Sequence, residues 1–238
     1  MQQDRREFLK SAAALAVASL TPRCVAADKP ADRPNILWIV SEDNSPFLGC
    51  YGDKLARTPN LDALASQGIL FERAYASAPI CAPNRSTLIT GCHSCSLGTQ
   101  PMRSSNRIPD AIRAYSEYLR QAGYYCTNNS KTDYNTAIPK SAWDESSNKA
   151  HYKNRKEGQP FFAIFNIGVS HESSTHRSPA STTTDPGKVV LPPHHPDTPI
   201  MRRQWALYYD CVEKMDAQVG QRLRQLQVHG PTCLPAGP

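Results

Sequence analysis

Cys81-Ala82-Pro83-Asn84-Arg85-Ser86 puts a thiol, a rigid proline, a guanidinium and a small hydroxyl into one short turn, followed by the apolar Leu88-Ile89 and then Thr90-Gly91. The C-x-P-x-R spacing is too particular for packing alone. The five residues by themselves nevertheless also fit a buried cysteine ahead of a helix N-terminus. A second candidate is the pair Glu42-Asp43. A hard divalent cation takes oxygen ligands, and Ca²⁺ favours carboxylates held in flexible geometry. Adjacent side chains converge on one ion only if the chain breaks there, and Asn44-Ser45-Pro46 supplies such a break. Taken alone, the pair reads equally as a solvated strand end.

These side chains need elements to position them. Asn35 to Val40 is a short continuous apolar run, the pattern of a strand buried on both faces. Glu42 and Asp43 follow its carboxyl end, the edge where open α/β sheets bind ligands. Thr58-Pro59-Asn60-Leu61-Asp62-Ala63-Leu64-Ala65 predicts a capped helix entering on proline and stopped by Gly68. Ile69-Leu70-Phe71 then begins a second strand. A helix is expected from Asn84 to Thr90, and an amphipathic one from Asp110 to Gln121, closed by Gly123. Tyr124 to Thr127 makes a third strand, and Phe161 to Ile167 is the clearest strand of the second half. Arg202 to Gln227 predicts a long helix whose stripe of Trp205, Tyr208, Tyr209, Val212, Met215, Val219, Leu223 and Leu226 reads as plain core. The stretch between Ser170 and Met201 is loop-like, rich in proline and threonine. Alternating strands and helices argue for an α/β fold with a mostly parallel sheet flanked by helices.

Composition narrows the field. The chain has 238 residues, 39% hydrophobic and 20% charged, which suits one large globular domain. No apolar run reaches the roughly 18 to 20 residues of a membrane span. Arg5-Arg6-Glu7-Phe8-Leu9-Lys10, an apolar stretch from Ala12 to Leu20, and Val25-Ala26-Ala27 together look like a twin-arginine export signal over residues 1–27. Residues 28–34 read as a linker. Removing the first 27 residues lowers the formal charge from +6 to +4. A mildly basic surface attracts an anionic polysaccharide or signifies nothing, and no basic stripe with interleaved aromatics points to nucleic acid. Eight cysteines form no compact disulfide framework. Cys92-His93-Ser94-Cys95 lacks the second half of a zinc site.

The motif at Cys81 resembles the signature of the sulfatase family, in which that cysteine is oxidised after translation to formylglycine, whose hydrate attacks sulfur. The resemblance runs from about Asn35 to Gln227, an N-terminal catalytic domain, and implies an alkaline-phosphatase-like fold. It implies that Glu42, Asp43 and the modified Cys81 bind one Ca²⁺, and that Arg85 holds the formylglycine diol. Lys131, in Asn129-Ser130-Lys131-Thr132-Asp133, matches a lysine that contacts a sulfate oxygen. His171, in Val169-Ser170-His171-Glu172-Ser173, matches a histidine that protonates the leaving group. Leu48-Gly49-Cys50-Tyr51-Gly52, Thr58 to Leu64, Leu97-Gly98-Thr99-Gln100 with Met102-Arg103-Ser104, and Tyr208-Tyr209-Asp210 with Met215-Asp216 and Val219-Gly220 are similar to the heparan N-sulfatase-like branch. The implied activity is hydrolysis of sulfate esters or sulfamates on a sulfated carbohydrate. The implied partners are a formylglycine-generating maturation enzyme and the twin-arginine translocase. The implied location is periplasmic or secreted, in a bacterium.

The pattern also breaks. The family usually has aspartate where Glu42 stands and often histidine where Asp133 stands. The second metal-binding segment expected beyond the long helix is missing, and residues 228–238 form a proline- and glycine-rich tail that supplies no strand. A truncated chain with an incomplete calcium shell, an open sheet edge, weak activity and a tendency to aggregate is therefore expected. Two alternatives stand beside this reading: a phosphomonoester or phosphonate hydrolase of the same superfamily, and a noncatalytic remnant that binds sulfated glycan.

Overall fold

A computed structural model describes residues 33–176 and 181–229. The expected export signal, most of the linker and nearly all of the tail lie outside the described residues. The described residues form a parallel sheet of β1 (Ile36–Ser41), β2 (Tyr125–Asn129), β3 (Glu145–Ser146) and β4 (Phe161–Ile167), in the order β1-β4-β2-β3. The helices are α1 (Pro59–Gln67), α2 (Cys81–Thr90), α3 (Ser94–Leu97), α4 (Tyr115–Gln121), α5 (Ser173–His176) and α6 (Pro199–His229). The α/β architecture read from the alternating elements is the one found.

A parallel sheet is covered on both faces, so its central strand must be apolar along its whole length. In β4, Phe162 and Ile164 pack with Ile89, Tyr124, Cys126 and Trp143 on one face. Phe161, Ala163 and Phe165 turn the other way, against Tyr152 and Leu226. Ile167 meets Val212, Met215 and Val219 of α6. This two-residue alternation of a strand is what turns a continuous apolar run into two cores. Each large side chain so buried contributes roughly 1.5–3 kcal/mol.

Helix α1 is tied to α6 by a carboxylate rather than by its own cap. Thr58 makes no side-chain cap bond. Asp216 instead accepts from the backbone N–H groups of Asn60 (3.2 Å) and Leu61 (2.8 Å) and from Asn60 Nδ2 (2.7 Å). Free amides of the first turn and the positive end of the helix dipole both favour an anion there. Gly220 makes the approach possible, since a Cβ at that position would overlap the Asn60 side chain.

Three local expectations are corrected. Ile69-Leu70-Phe71 is not a strand. Ile69 is 83% and Phe71 67% exposed, and an apolar run without a strand to pair with among the described residues forms no ladder. The helix expected from Asp110 begins only at Tyr115. Residues 110–111 form a turn after Pro109, and Ala114 is extended, its N–H donating to the Glu117 carboxylate at 3.1 Å. Helix α2 starts earlier than expected, at Cys81 itself, after an extended Ile80, with Pro83 in its first turn.

Candidate active site

Parallel strands end on one edge, and here that edge gathers the loop residues predicted to do chemistry. Glu42 and Asp43 follow β1, Lys131 follows β2, and Ser170 and His171 follow β4. Cys81 and Arg85, on the first turns of α2, line the same cavity as Glu42, Asp43 and Asn44, a space of about 490 Å³.

Glu42 is 5% exposed and is the electrostatic centre of the edge. Its Oε1 accepts from Arg85 Nη2 and its Oε2 from Lys131 Nζ at 2.6 Å. Burial pushes its pKa up, but the hydrogen bonds and charges of Lys131 and Arg85 outweigh it and hold the carboxyl below its ordinary value. With Asp43 in the same cavity wall the two carboxylates and two cations balance formally, so a cation held there would make the edge positive enough for an anionic ligand. Arg85 is oriented further by Asn166, whose Oδ1 accepts from Nη1 at 2.9 Å. Asn166 Nδ2 donates in turn to Asn128 Oδ1 (3.0 Å) and to the Asn129 carbonyl (3.1 Å).

Asp43 takes a left-handed backbone conformation, φ +50°, which is the break needed to turn its side chain away from the direction of β1. Its Oδ2 accepts from the Glu172 N–H at 2.8 Å and lies 3.8 Å from His171 Nε2. The loops after β1 and β4 are pinned together by Ser170 Oγ, which donates to the Glu42 carbonyl at 2.6 Å. His171 Nδ1 accepts from the Ser173 N–H at 3.2 Å. A backbone N–H can only donate, so the neutral imidazole carries its proton on Nε2, the nitrogen that faces Asp43.

Glu42, Asp43 and His171 each offer a ligand atom within 4.8 Å of one another, a set able to hold a metal ion. Asn44, next in the chain, keeps a buried Oδ1 without a hydrogen-bond donor. Two carboxylates and an orphaned amide oxygen are hard donors of the kind Ca²⁺ selects, and a carboxylate paired with a cation retains lone pairs for a metal. The residues therefore fit such an ion. The expected ligands Glu42 and Asp43 belong to the triad. His171 is the third member of that group, but with Nδ1 accepting from Ser173 and the proton on Nε2 it offers no lone pair to a cation, and Cys81 stands in the cavity wall.

Sequence reasoning missed Asn166, Asn128 and Ser170. The available signal was an asparagine inside an otherwise apolar strand, Phe161 to Ile167, where an unpaired amide is costly.

Residues 34–233 match the Sulfatase family. The chain belongs to the sulfatase family. A Formosa agariphila "Ulvan-active sulfatase" is 35% identical over 248 residues, covering 84% of this chain and 41% of that relative. Human "Iduronate 2-sulfatase" is 40% identical over 104 residues, 42% of this chain and 16% of the human protein. This sulfatase-family chain thus spans about two fifths of the length of the bacterial relative. Among solved structures, a putative sulfatase, yidJ, from Bacteroides fragilis superposes with TM-score 0.63 at 19% identity, covering 82% of this chain and 59% of that one. The phosphonate monoester hydrolase SpPMH from Silicibacter pomeroyi gives 0.67 at 15%, covering 83% and 60%. These similarities support the expected alkaline-phosphatase-like fold. Among the described residues, no helix is long and apolar enough to cross a membrane.

Proposed function

We propose that this chain carries the nucleophile half of a site that hydrolyses sulfate esters or sulfamates of a sulfated carbohydrate. The carrying observation is that Arg85 and Lys131 both converge on the buried Glu42, whose cavity also holds Asp43 and Cys81, so that two fixed cations and two carboxylates are gathered around the residue to be modified. Cys81 matured to formylglycine would supply, as its hydrate, an oxygen nucleophile for sulfur. One Ca²⁺ at Glu42 and Asp43 would supply charge stabilisation for the sulfate oxygens. A formylglycine-generating enzyme is then a required partner. The Arg5-Arg6 segment would route the product through the twin-arginine translocase to the periplasm or beyond.

The chain's own residues do the rest. Arg85 is held by Glu42 and Asn166 with its guanidinium fixed before substrate arrives, which costs no reorganisation during reaction. Lys131 is less deeply buried than Arg85, with 27% of its side chain exposed, and presents an ammonium to an incoming sulfate oxygen. His171 holds a proton on Nε2, the atom suited to protonate the departing sugar oxygen as the S–O bond breaks. Asp43 Oδ2 faces that nitrogen at 3.8 Å.

The test is co-expression with a formylglycine-generating enzyme, mass spectrometry of the peptide that contains Cys81, and assay of sulfate release from sulfated oligosaccharides in the presence of Ca²⁺. Aldehyde at position 81 and release that falls at least about a thousandfold in Cys81→Ala are the expected results. Intact thiol after co-expression, or equal release by Cys81→Ala, would overturn the proposal. A parallel assay with phosphonate and phosphate monoesters separates the phosphohydrolase reading, which requires faster turnover of those compounds than of sulfates.

A further inference from the structure

The long-helix stripe reads as uniform core, but its first two aromatics are not sealed. Val212, Met215 and Val219 are buried beneath the sheet, whereas Trp205 and Tyr208 are only half-buried and line a second cavity of about 550 Å³. That cavity shares Asp43 and Ser45 with the lining of the candidate active site and is walled on another side by Ser170 and Glu172, the neighbours of His171 in the chain. Its volume lies within the range, on the order of 300–1,000 Å³, of small-ligand sites.

The lining is built rather than incidental. Trp205 Nε1 donates to His195 Nδ1 at 2.8 Å, and Phe47 meets the indole edge-on with ring centres 4.9 Å apart. Tyr208 stands 5.4 Å from Trp205 at 76° between planes, so the two rings form a corner. Because an indole N–H only donates, His195 accepts at Nδ1 and its neutral ring keeps a donor on Nε2. Glu172 and Gln204 add a carboxylate and an amide to the lining. A rigid aromatic corner bordered by both donors and acceptors matches a pyranose, which presents C–H groups on its faces and hydroxyls around its edge.

We propose that this cavity is a sugar subsite: a pyranose ring lies against Trp205 and Tyr208, hydrogen-bonded by His195, Gln204 and Glu172, while its sulfate reaches Arg85 and Lys131. The proposal rests on the sulfatase reading above and adds the residues that choose the sugar. It assigns Trp205 a binding role, not a catalytic one.

Isothermal titration of the full chain with three probes tests it: sulfated oligosaccharides from depolymerised ulvan and heparin, the same oligosaccharides after desulfation, and inorganic sulfate. Trp205→Ala is expected to weaken the sulfated oligosaccharides about tenfold or more and to leave inorganic sulfate unchanged. Lys131→Ala is expected to weaken both. Oligosaccharide binding that survives Trp205→Ala but falls in Lys131→Ala overturns the subsite and leaves the sulfatase reading standing. Sulfate bound without any oligosaccharide has the same meaning. No binding of sulfate, or binding indifferent to Lys131→Ala, defeats the sulfatase reading itself. If thermal melts show Trp205→Ala unfolded, Trp205→Phe and Gln204→Ala take its place. The phenylalanine variant should stay within about threefold of wild type while Gln204→Ala loses severalfold, and equal affinity in Gln204→Ala overturns the subsite.

Discussion

Glu42 and Asp210 are both buried carboxylates held below their ordinary pKa, yet they are satisfied in opposite ways. Glu42 is met by two side-chain cations, Arg85 and Lys131, at the carboxyl edge of the sheet. Asp210, on α6, is met by neutral groups of one loop: the hydroxyls of Thr182, Thr183 and Thr184 at 2.6–2.8 Å and the N–H groups of Thr183 and Thr184 at 2.9 and 3.0 Å. Burial raises the Asp210 pKa, but those hydrogen bonds bring it down to about 2. Charged partners can be released to a ligand, whereas backbone donors have nowhere else to go. The first arrangement belongs to a site, the second to a frame.

The largest expected effect comes from breaking the first arrangement. Glu42→Ala strands a buried Arg85 and should lower stability by about 3–5 kcal/mol, read as a shift in the urea midpoint. The double variant Glu42→Leu/Arg85→Met should recover most of that loss, because a buried ion pair is replaceable by apolar groups of similar volume. It should also abolish sulfate binding. Failure of the double variant to recover would mean that the pair holds the fold rather than the site.

Asp210 offers no such rescue, since two of its donors are backbone. Asp210→Ala should cost roughly 2–3 kcal/mol, whatever is done to the three threonine hydroxyls. Its acid dependence has a definite sign. A carboxyl at about 2 in the folded chain and 3.8 in ordinary surroundings contributes stability that is complete above the higher value and lost as pH falls through the lower. That contribution is on the order of 2 kcal/mol. Urea titrations between pH 5 and 2 should show a steep loss that Asp210→Asn makes shallower. An equal slope in the variant would assign the acid sensitivity to the other carboxyls held low, Glu42 and Glu145 among them.

The same contrast explains what could be read from sequence. Glu42 and Asp43 were legible because they follow an apolar run and precede a break, a local pattern. Lys131 and His171 were legible only through resemblance, since a single lysine or histidine in a loop has no signature of its own. Asn166 looks like a flaw in its strand until Arg85, 81 residues earlier, is seen between it and Glu42, and Asn128 until it is seen to hold Asn166. Periodicity placed Trp205 and Tyr208 on the α6 stripe but said nothing about where the sheet above that stripe ends. The stretch from Ile69 to Phe71 fails for the opposite reason. Its composition suits a strand, but pairing is a property of a neighbour and not of the run itself.

The smallest effect belongs to a third kind of carboxylate, one that is paired but not buried. Glu213 accepts from Arg57 Nη2 at 2.6 Å and from Nε at 3.2 Å, geometry as close as that around Glu42. The side chains are, however, 58% and 44% exposed. Water already solvates both charges, and salt screens what remains. Glu213→Gln should therefore change stability by less than about 1 kcal/mol, and the difference should fade in 1 M salt. A loss comparable to that of Asp210→Ala would show that contact distance, not removal from water, decides what a carboxylate is worth in this molecule, and the distinction drawn between site and frame would then fail with it.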